Sequence, residues 1–251
     1  MLPALIVVPV SFSSGSIIAF PLPGYSLRWY AEALNSQAWL AAAENSAIIG
    51  GGATLLATTL GLLATLGLDR LPPRRRGLAL NFILLPFFVP VVLLALGGYL
   101  ALALVGLNNS YFGVILLHAA LGLPFVVICV GASLSGFDRT LWLAASGLGA
   151  RPWLAMRRIV LPLVFPGVLT GAVFALSASF DEVVIASFVT GPTQRTLPLR
   201  MFAGIKENTG PIVTAVATLL LLLAFCFLVS VEGLQRRAER LRARRQDAAE
   251  A

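Results

Sequence analysis

The chain has 251 residues, of which 58% are hydrophobic and only 12% are charged, and its formal net charge is +7. Soluble domains carry about 25% charged residues, so this composition excludes an ordinary soluble enzyme or binding module. The cationic residues lie between apolar runs and in a short tail, and with no folded basic face they disfavour a nucleic-acid partner. The two cysteines lie far apart inside apolar runs and there is a single histidine, so no disulfide framework, metal site or cofactor is predicted.

The first ten residues are apolar, and the run stops at a serine-rich stretch, residues 11–14. It is about half as long as a membrane-spanning helix, and it lacks the basic start of a signal peptide. We therefore expect Met1 to lie inside the first transmembrane helix, with the true start codon upstream. Mass spectrometry of the native N-terminus tests this expectation.

Five further apolar runs follow, each long enough to cross a bilayer core of about 30 Å at about 1.5 Å per helical residue. They predict an all-α polytopic membrane protein with six helices, the first truncated, as one transmembrane domain over residues 1–251. Prolines within the runs predict bent, packed helices, and Gly167 and Gly171 have the spacing that allows close helix packing. The runs cover residues 46–68, 78–107 (interrupted by Pro86 and Pro90), 111–134 (with Pro124), 163–189 (with Pro166) and 212–231.

The orientation follows from the arginines, which collect in cytoplasmic loops. With six spans and a cytoplasmic N-terminus, 14 of the 18 basic residues lie inside, the last six of them in a basic tail over residues 235–251. The sequence therefore predicts a multi-pass membrane protein with both termini in the cytoplasm. The remaining four lie outside: Arg28, Arg195, Arg200 and Lys206.

The cytoplasmic loop over residues 135–162 carries a spaced motif. Its pattern resembles that of bacterial ABC importer permeases, Glu-Ala-Ala, three residues, Gly, nine residues, Ile, one residue, Leu-Pro. Every spacing agrees, and the one departure is the leucine at the acidic position, which removes any salt bridge made there. The matching residues are Leu143, Ala144, Ala145, Gly149, Ile159, Leu161 and Pro162.

The residues of this loop suit a docking helix. Ala144 and Ala145 leave a smooth helix face, Gly149 can adopt the positive φ that ends a helix, and Pro162 marks the return to the membrane. The resemblance implies a six-helix permease of the bacterial inner membrane, whose coupling helix docks on an ABC ATPase dimer. It also implies a second permease subunit and a solute-binding protein as further partners. The alternative is a re-entry loop with topology-setting arginines and no partner.

The chain lacks a phosphate-binding loop of its own. Such a loop needs Gly-Lys followed by Ser or Thr, and the single lysine, Lys206, lies between Ile205 and Glu207. An ATPase must therefore be a separate chain, and no catalytic residue is predicted here.

Asp181 and Glu182 form the only acidic pair inside an apolar run. If the helix continued to Val189, Asp181 would lie about 12 Å deep along it, and Phe180 would adjoin the pair. Because successive helical residues point about 100° apart, both carboxylates can hardly face one pore. We predict a substrate path here, with two alternatives: ion pairs to Arg195 or Arg200, or capping of a broken helix.

Residues 179–192 and 122–127 resemble the spermidine/putrescine branch of these permeases. This resemblance implies import of a polyamine, whose ammonium groups need anions or aromatic faces once desolvated. Import of a different small solute is the alternative. A secondary transporter would need inverted repeats, which are not seen, and a channel would leave the motif of the 135–162 loop unexplained.

Residues 21–45 and 191–211 are predicted to face outward. Their aromatic residues Trp29, Tyr30 and Trp39 either dock the binding protein or form an interfacial belt. His118, alone in a span, is interpreted as a packed, hydrogen-bonded residue rather than a proton relay.

Overall fold

The computed structural model describes residues 2–18, 21–136, 138–206 and 210–226. These ranges are largely helical and contain no β-strand, which agrees with the predicted all-α class. The helices are α1 (Leu2–Ser11), α2 (Arg28–Asn35), α3 (Gln37–Leu68), α4 (Pro73–Phe88), α5 (Val91–Leu104), α6 (Tyr111–Ser135), α7 (Arg139–Gly147), α8 (Pro152–Ala155), α9 (Leu161–Phe180), α10 (Val184–Val189), α11 (Leu197–Lys206) and α12 (Ile212–Cys226), with a π-helical turn, Met156–Val160, joining α8 to α9.

Three helical stretches of the described chain are long and apolar enough to cross a membrane: α3, α6 and the continuous stretch Pro152–Phe180. The pair α4 and α5 makes a fourth if it counts as one broken span. α12 is apolar but shorter, and residues 227–231 of its predicted run lie outside the described residues, as does the basic tail.

The run over residues 78–107 is not one kinked helix. The chain bends by 105° between α4 and α5. The break falls at Val89, which has an extended backbone with ψ 129°, immediately before Pro90. A proline disfavours the helical conformation of the residue before it and donates no N–H. Pro86 lies inside α4 without ending it, so Pro90 is the residue that marks the break.

The centre of the bundle is the packing of α6 against α9. A Cβ added at Gly167 would lie 2.6 Å from the backbone oxygen of Cys129, and one added at Gly171 would lie 2.8 Å from the Cα of Val126. Only glycine permits this approach, so the predicted close packing at these positions is confirmed. Val126, Val164 and Ala175 form part of the buried core around the contact.

The predicted span over residues 163–189 is wrong at both ends. The helix begins at Pro152, with proline in its first turn, and runs through the π-helical turn into α9. It ends at Phe180, and α10 starts a separate six-residue helix at Val184. Asp181 is therefore a helix-terminal residue, and a depth counted along one helix from Val189 does not apply.

The chain divides into two compact units, Ala41–Phe202 and a unit formed by Met1–Leu40 with Ala203–Ala251. In the second of these, Trp29 is 6% and Trp39 is 7% exposed. The indole N–H of Trp29 donates to the carbonyl oxygen of Ser13 at 2.9 Å, and the Arg28 guanidinium lies 4.2 Å from the ring centroid. Both tryptophans are buried, so neither predicted role, partner docking or membrane belt, describes them.

Candidate functional site

The loop motif forms a short helix, α7, with a defined start. The Asp138 carboxylate is the N-cap and accepts a hydrogen bond from the backbone N–H of Thr140 at 2.9 Å. Together with the Thr140 hydroxyl, this bond lowers the pKa of the exposed Asp138 carboxyl below its usual value. An ionised N-cap also interacts favourably with the positive end of the helix dipole. Asp138 therefore stabilises the start of α7.

α7 ends in a Schellman motif centred on Gly149, whose φ is +79°. The N–H of Ala150 donates to the carbonyl of Ala145 and the N–H of Gly149 to that of Ser146, both at 3.0 Å. This pair of bonds is the signature of a left-handed C-terminal cap. The predicted positive φ of Gly149 is confirmed, and it explains glycine here in physical terms.

Several side chains of α7 and its C-cap residue Leu148 are open to solvent. Leu143 is 68% exposed and Leu148 is 89% exposed, while Ala144 is exposed as well. Trp142, in contrast, packs against the buried core of the bundle. The later motif residues do not lie in a loop: Ile159 is in the π-helical turn, and Leu161 and Pro162 form the first turn of α9. α7 is thus anchored by one tryptophan and presents apolar groups outward.

The structure gives the two carboxylates different surroundings. Glu182 is half-buried, and its Oε1 accepts a hydrogen bond from the backbone N–H of Ile185 at 2.7 Å, in the first turn of α10. Asp181 ends α9 and is exposed, and its carboxylate has no hydrogen-bond or ion-pair partner among the described residues. The capping alternative therefore holds for Glu182 alone, and the free carboxylate is that of Asp181.

No ion pair links either carboxylate to Arg195 or Arg200 in the described chain, so that alternative is not seen. Phe180 packs beside Gly50 of α3, where an added Cβ would meet its ring at 2.9 Å. The phenylalanine predicted to adjoin the pair therefore lies against a neighbouring helix at the same break. Within the described ranges, no three His, Cys, Asp or Glu side chains come together as metal ligands.

A cluster of hydrogen bonds lies near the start of α3, which the sequence analysis did not single out. The Asn45 amide donates to the carbonyl oxygens of Thr193 at 2.8 Å and Arg195 at 3.0 Å, and its Oδ1 accepts from the Tyr111 hydroxyl at 2.7 Å. Ser46 Oγ accepts from the N–H of Leu197 at 2.7 Å. We call these six residues the Asn45 cluster; it fixes the 193–197 segment to α3 and α6.

His118 is fully buried in α6 and is hydrogen-bonded, as predicted. Its Nδ1 lies 2.8 Å from the hydroxyl oxygen of Ser179, in the last turn of α9. The bond links α6 to α9 directly before the break that holds Asp181. Its position supports a packing role at this helix end.

Comparison with known proteins identifies the family of the chain. The model of the family described as binding-protein-dependent transport system inner membrane component matches residues 57–240. The chain is 31% identical over 235 residues to the spermidine/putrescine transport system permease protein PotC of Escherichia coli (strain K12), covering 94% of this chain and 89% of PotC. It is 32% identical over 228 residues to the putrescine transport system permease protein PotI of the same organism, covering 87% and 80%.

The fold is also found in a solved structure, a bacterial alginate ABC transporter in complex with an alginate pentasaccharide-bound periplasmic protein. The TM-score is 0.74 at 17% identity, covering 94% of this chain and 88% of that chain. At this identity the likeness concerns the fold alone. Taken with the family match over residues 57–240 and the two permease relatives, it means that the chain belongs to the binding-protein-dependent transport system inner membrane components, the permeases of ABC importers.

Proposed function

We propose that this permease forms the translocation path of an ATP-driven importer for a polyamine of the spermidine or putrescine type. Support comes from two relatives at 31% and 32% identity whose names specify spermidine/putrescine and putrescine. The solute is delivered by a binding protein and ATP is hydrolysed on a separate chain.

The observation that best supports a polyamine as the solute is the carboxylate of Asp181, which has no partner among the described residues. A desolvated ammonium group needs an anion, and an ionisable group among apolar helices is costly unless it serves such a purpose. Glu182 already has a backbone donor, whereas Asp181 has no partner among the described residues. Asp181 is therefore the residue of the pair that contacts the passing cation, and Glu182 holds the break open by capping α10.

The exposed face of α7 is the proposed contact with the ATPase. Leu143 and Leu148 expose large apolar side chains. A single exposed apolar residue needs no explanation, but a cluster of them suits docking into a groove on a partner. Leucine at position 143 makes this contact apolar, where the family motif has an acidic residue. Two ATPase subunits and a second permease chain complete the assembly.

The proposed orientation has support from the packing of the Ala41–Phe202 unit. Asp69 and Arg70, at the end of α3, line one cavity together with Trp142 and Leu143 of α7. Two arginine-bearing segments thus share one end of this unit. The Asn45 cluster joins the starts of α3 and α6 to the 193–197 segment, as expected if these lie at the opposite, outer end.

The test is transport by the assembled importer. The chain is reconstituted in liposomes with its second permease, ATPase and binding protein, and ATP hydrolysis and uptake are measured with spermidine, putrescine and a neutral sugar. Stimulation by the polyamine-loaded binding protein supports the proposal. Stimulation by the sugar alone would retain the importer and reject the polyamine.

A further inference from the structure

A groove of about 610 Å³ lies between the end of α3, the end of α6, α7 and the π-helical turn. Its volume falls within the range of about 300–1,000 Å³ typical of ligand sites. Six of its eight lining residues are apolar. We call it the α7 groove; it is lined by Leu66, Asp69, Arg70, Leu134, Trp142, Leu143, Met156 and Val160.

The charges at this groove are not balanced. The carboxylate of Asp69 lies 3.9 Å from the Arg76 guanidinium, so a cation already lies close to it. Arg70 is exposed and has no ion-pair or hydrogen-bonding side-chain partner among the described residues. The groove therefore combines an apolar interior with one uncompensated positive charge at its edge.

The position of the groove narrows the choice of ligand. α3 and α6 are long enough to cross the membrane, and the groove lies where both helices end. At that level the hydrocarbon core of a bilayer gives way to its headgroups. Basic pockets between transmembrane helices on the cytoplasmic side bind anionic lipid headgroups, and each arginine near the surface contributes about 1 kcal/mol.

We propose that the α7 groove binds one anionic phospholipid of the cytoplasmic leaflet, with an acyl chain in the apolar interior and the phosphate at Arg70. Charge complementarity and the location favour a lipid over a segment of the partner ATPase. Because Trp142 and Leu143 belong to α7, the lipid packs directly against the helix proposed to contact the ATPase.

Lipid retention by the importer complex tests the site. The complex is purified from membranes and exchanged into nanodiscs of phosphatidylglycerol and phosphatidylcholine, and the lipids retained on detergent release are identified by native mass spectrometry. We expect the native chain to retain phosphatidylglycerol in preference. Arg70→Gln lowers this retention about fivefold, whereas Arg75→Gln, which removes an equal charge from an exposed residue outside the groove, leaves it unchanged.

A second variant pair tests the apolar wall. Leu143→Glu places a negative charge in the groove and abolishes phosphatidylglycerol retention, while Leu154→Glu, at an exposed position of α8 outside the groove, does not. Equal losses in Arg70→Gln and Arg75→Gln would overturn the site in favour of diffuse charge attraction. Equal retention of the two lipids would overturn the headgroup contact, and retention only in the absence of the ATPase would assign the groove to that partner.

Discussion

The two ends of the Ala41–Phe202 unit are held by different kinds of contact. In the Asn45 cluster, a buried amide bonds to backbone carbonyls 148 and 150 residues further along the chain. Among the described residues around α7, the hydrogen bonds stay within the segment itself, and Trp142 links it to the bundle by apolar packing. Directional bonds between distant segments fix one end, whereas non-directional apolar contacts hold α7 at the other.

The same distinction separates individual polar groups. Asn45 and Glu182 have their hydrogen bonds made inside the protein, and we assign them to structure. Asp181 and Arg70 have no side-chain partner within the described residues, and we assign them to external ligands. This distinction is wrong if substitution of a bonded group impairs only ligand binding, or if substitution of an unpartnered group impairs only stability.

The largest effect is expected at Asn45. Asn45→Ala removes three hydrogen bonds. It leaves the Arg195 carbonyl without its donor and the Thr193 carbonyl with only the longer bond from the Tyr111 hydroxyl at 3.5 Å, which costs about 2–3 kcal/mol. The midpoint of thermal unfolding in detergent, measured by intrinsic fluorescence, therefore falls by several degrees. Asn35→Ala is the control, because the Asn35 amide is exposed and bonds only to Ala31 of its own helix. Equal midpoints for the two variants would show that the cluster does not fix this end.

Next in size is the difference between the two neighbouring carboxylates. Asp181→Asn removes the free charge, and we expect spermidine uptake into liposomes to fall about tenfold. Glu182→Gln keeps an oxygen that can accept from the N–H of Ile185, so uptake stays near the native level. Assembly, followed by co-purification of the complex, is unchanged in both. A larger loss in Glu182→Gln than in Asp181→Asn would reverse the proposed roles.

The sequence predicted what local rules determine. Hydropathy located α3, α6 and α12, and the need for a positive φ marked Gly149. Close packing on α9 followed from two glycines four residues apart, because small residues allow such an approach, although the partner helix α6 was not predicted. These features depend on residues close together in the chain, which a single sequence displays.

The features that it missed depend on distant partners or on backbone groups. The Asn45 cluster could not be predicted, because no local pattern shows that residues 193–195 lie against α3. The one hint in the sequence is an asparagine at the edge of an apolar run. The break after Phe180 was predicted only as one alternative, although it has a signal. Glu182 lies three residues before the N–H that it accepts from, and acidic residues cap helix starts. Trp29 and Trp39 were misjudged because tryptophan suits both a membrane interface and a core.

A smaller effect is expected at the end of α7. Gly149→Ala forces a side chain into a left-handed conformation that costs about 1 kcal/mol, and stimulation of ATP hydrolysis by the loaded binding protein falls about fivefold. Gly147→Ala is a matched control, since Gly147 is helical and its added Cβ would also meet open space. Alanine favours a helix there, so stimulation is kept. Equal stimulation of ATP hydrolysis in the two variants would show that the Gly149 cap has no part in coupling.

The smallest effect concerns the N-cap of α7 and its dependence on pH. The hydroxyl and N–H of Thr140 lower the pKa of Asp138 in the folded chain, so the contribution of the charged cap is present above the unfolded pKa of about 3.9 and is lost as the pH falls through the lower folded value. Hydrogen exchange of the first-turn amides of α7 then accelerates in acid relative to Asp138→Asn, whose neutral amide caps at every pH. If both chains keep the same exchange ratio across this range, the ionised carboxylate adds nothing to the start of α7, and its local hydrogen bond alone holds this end of the helix.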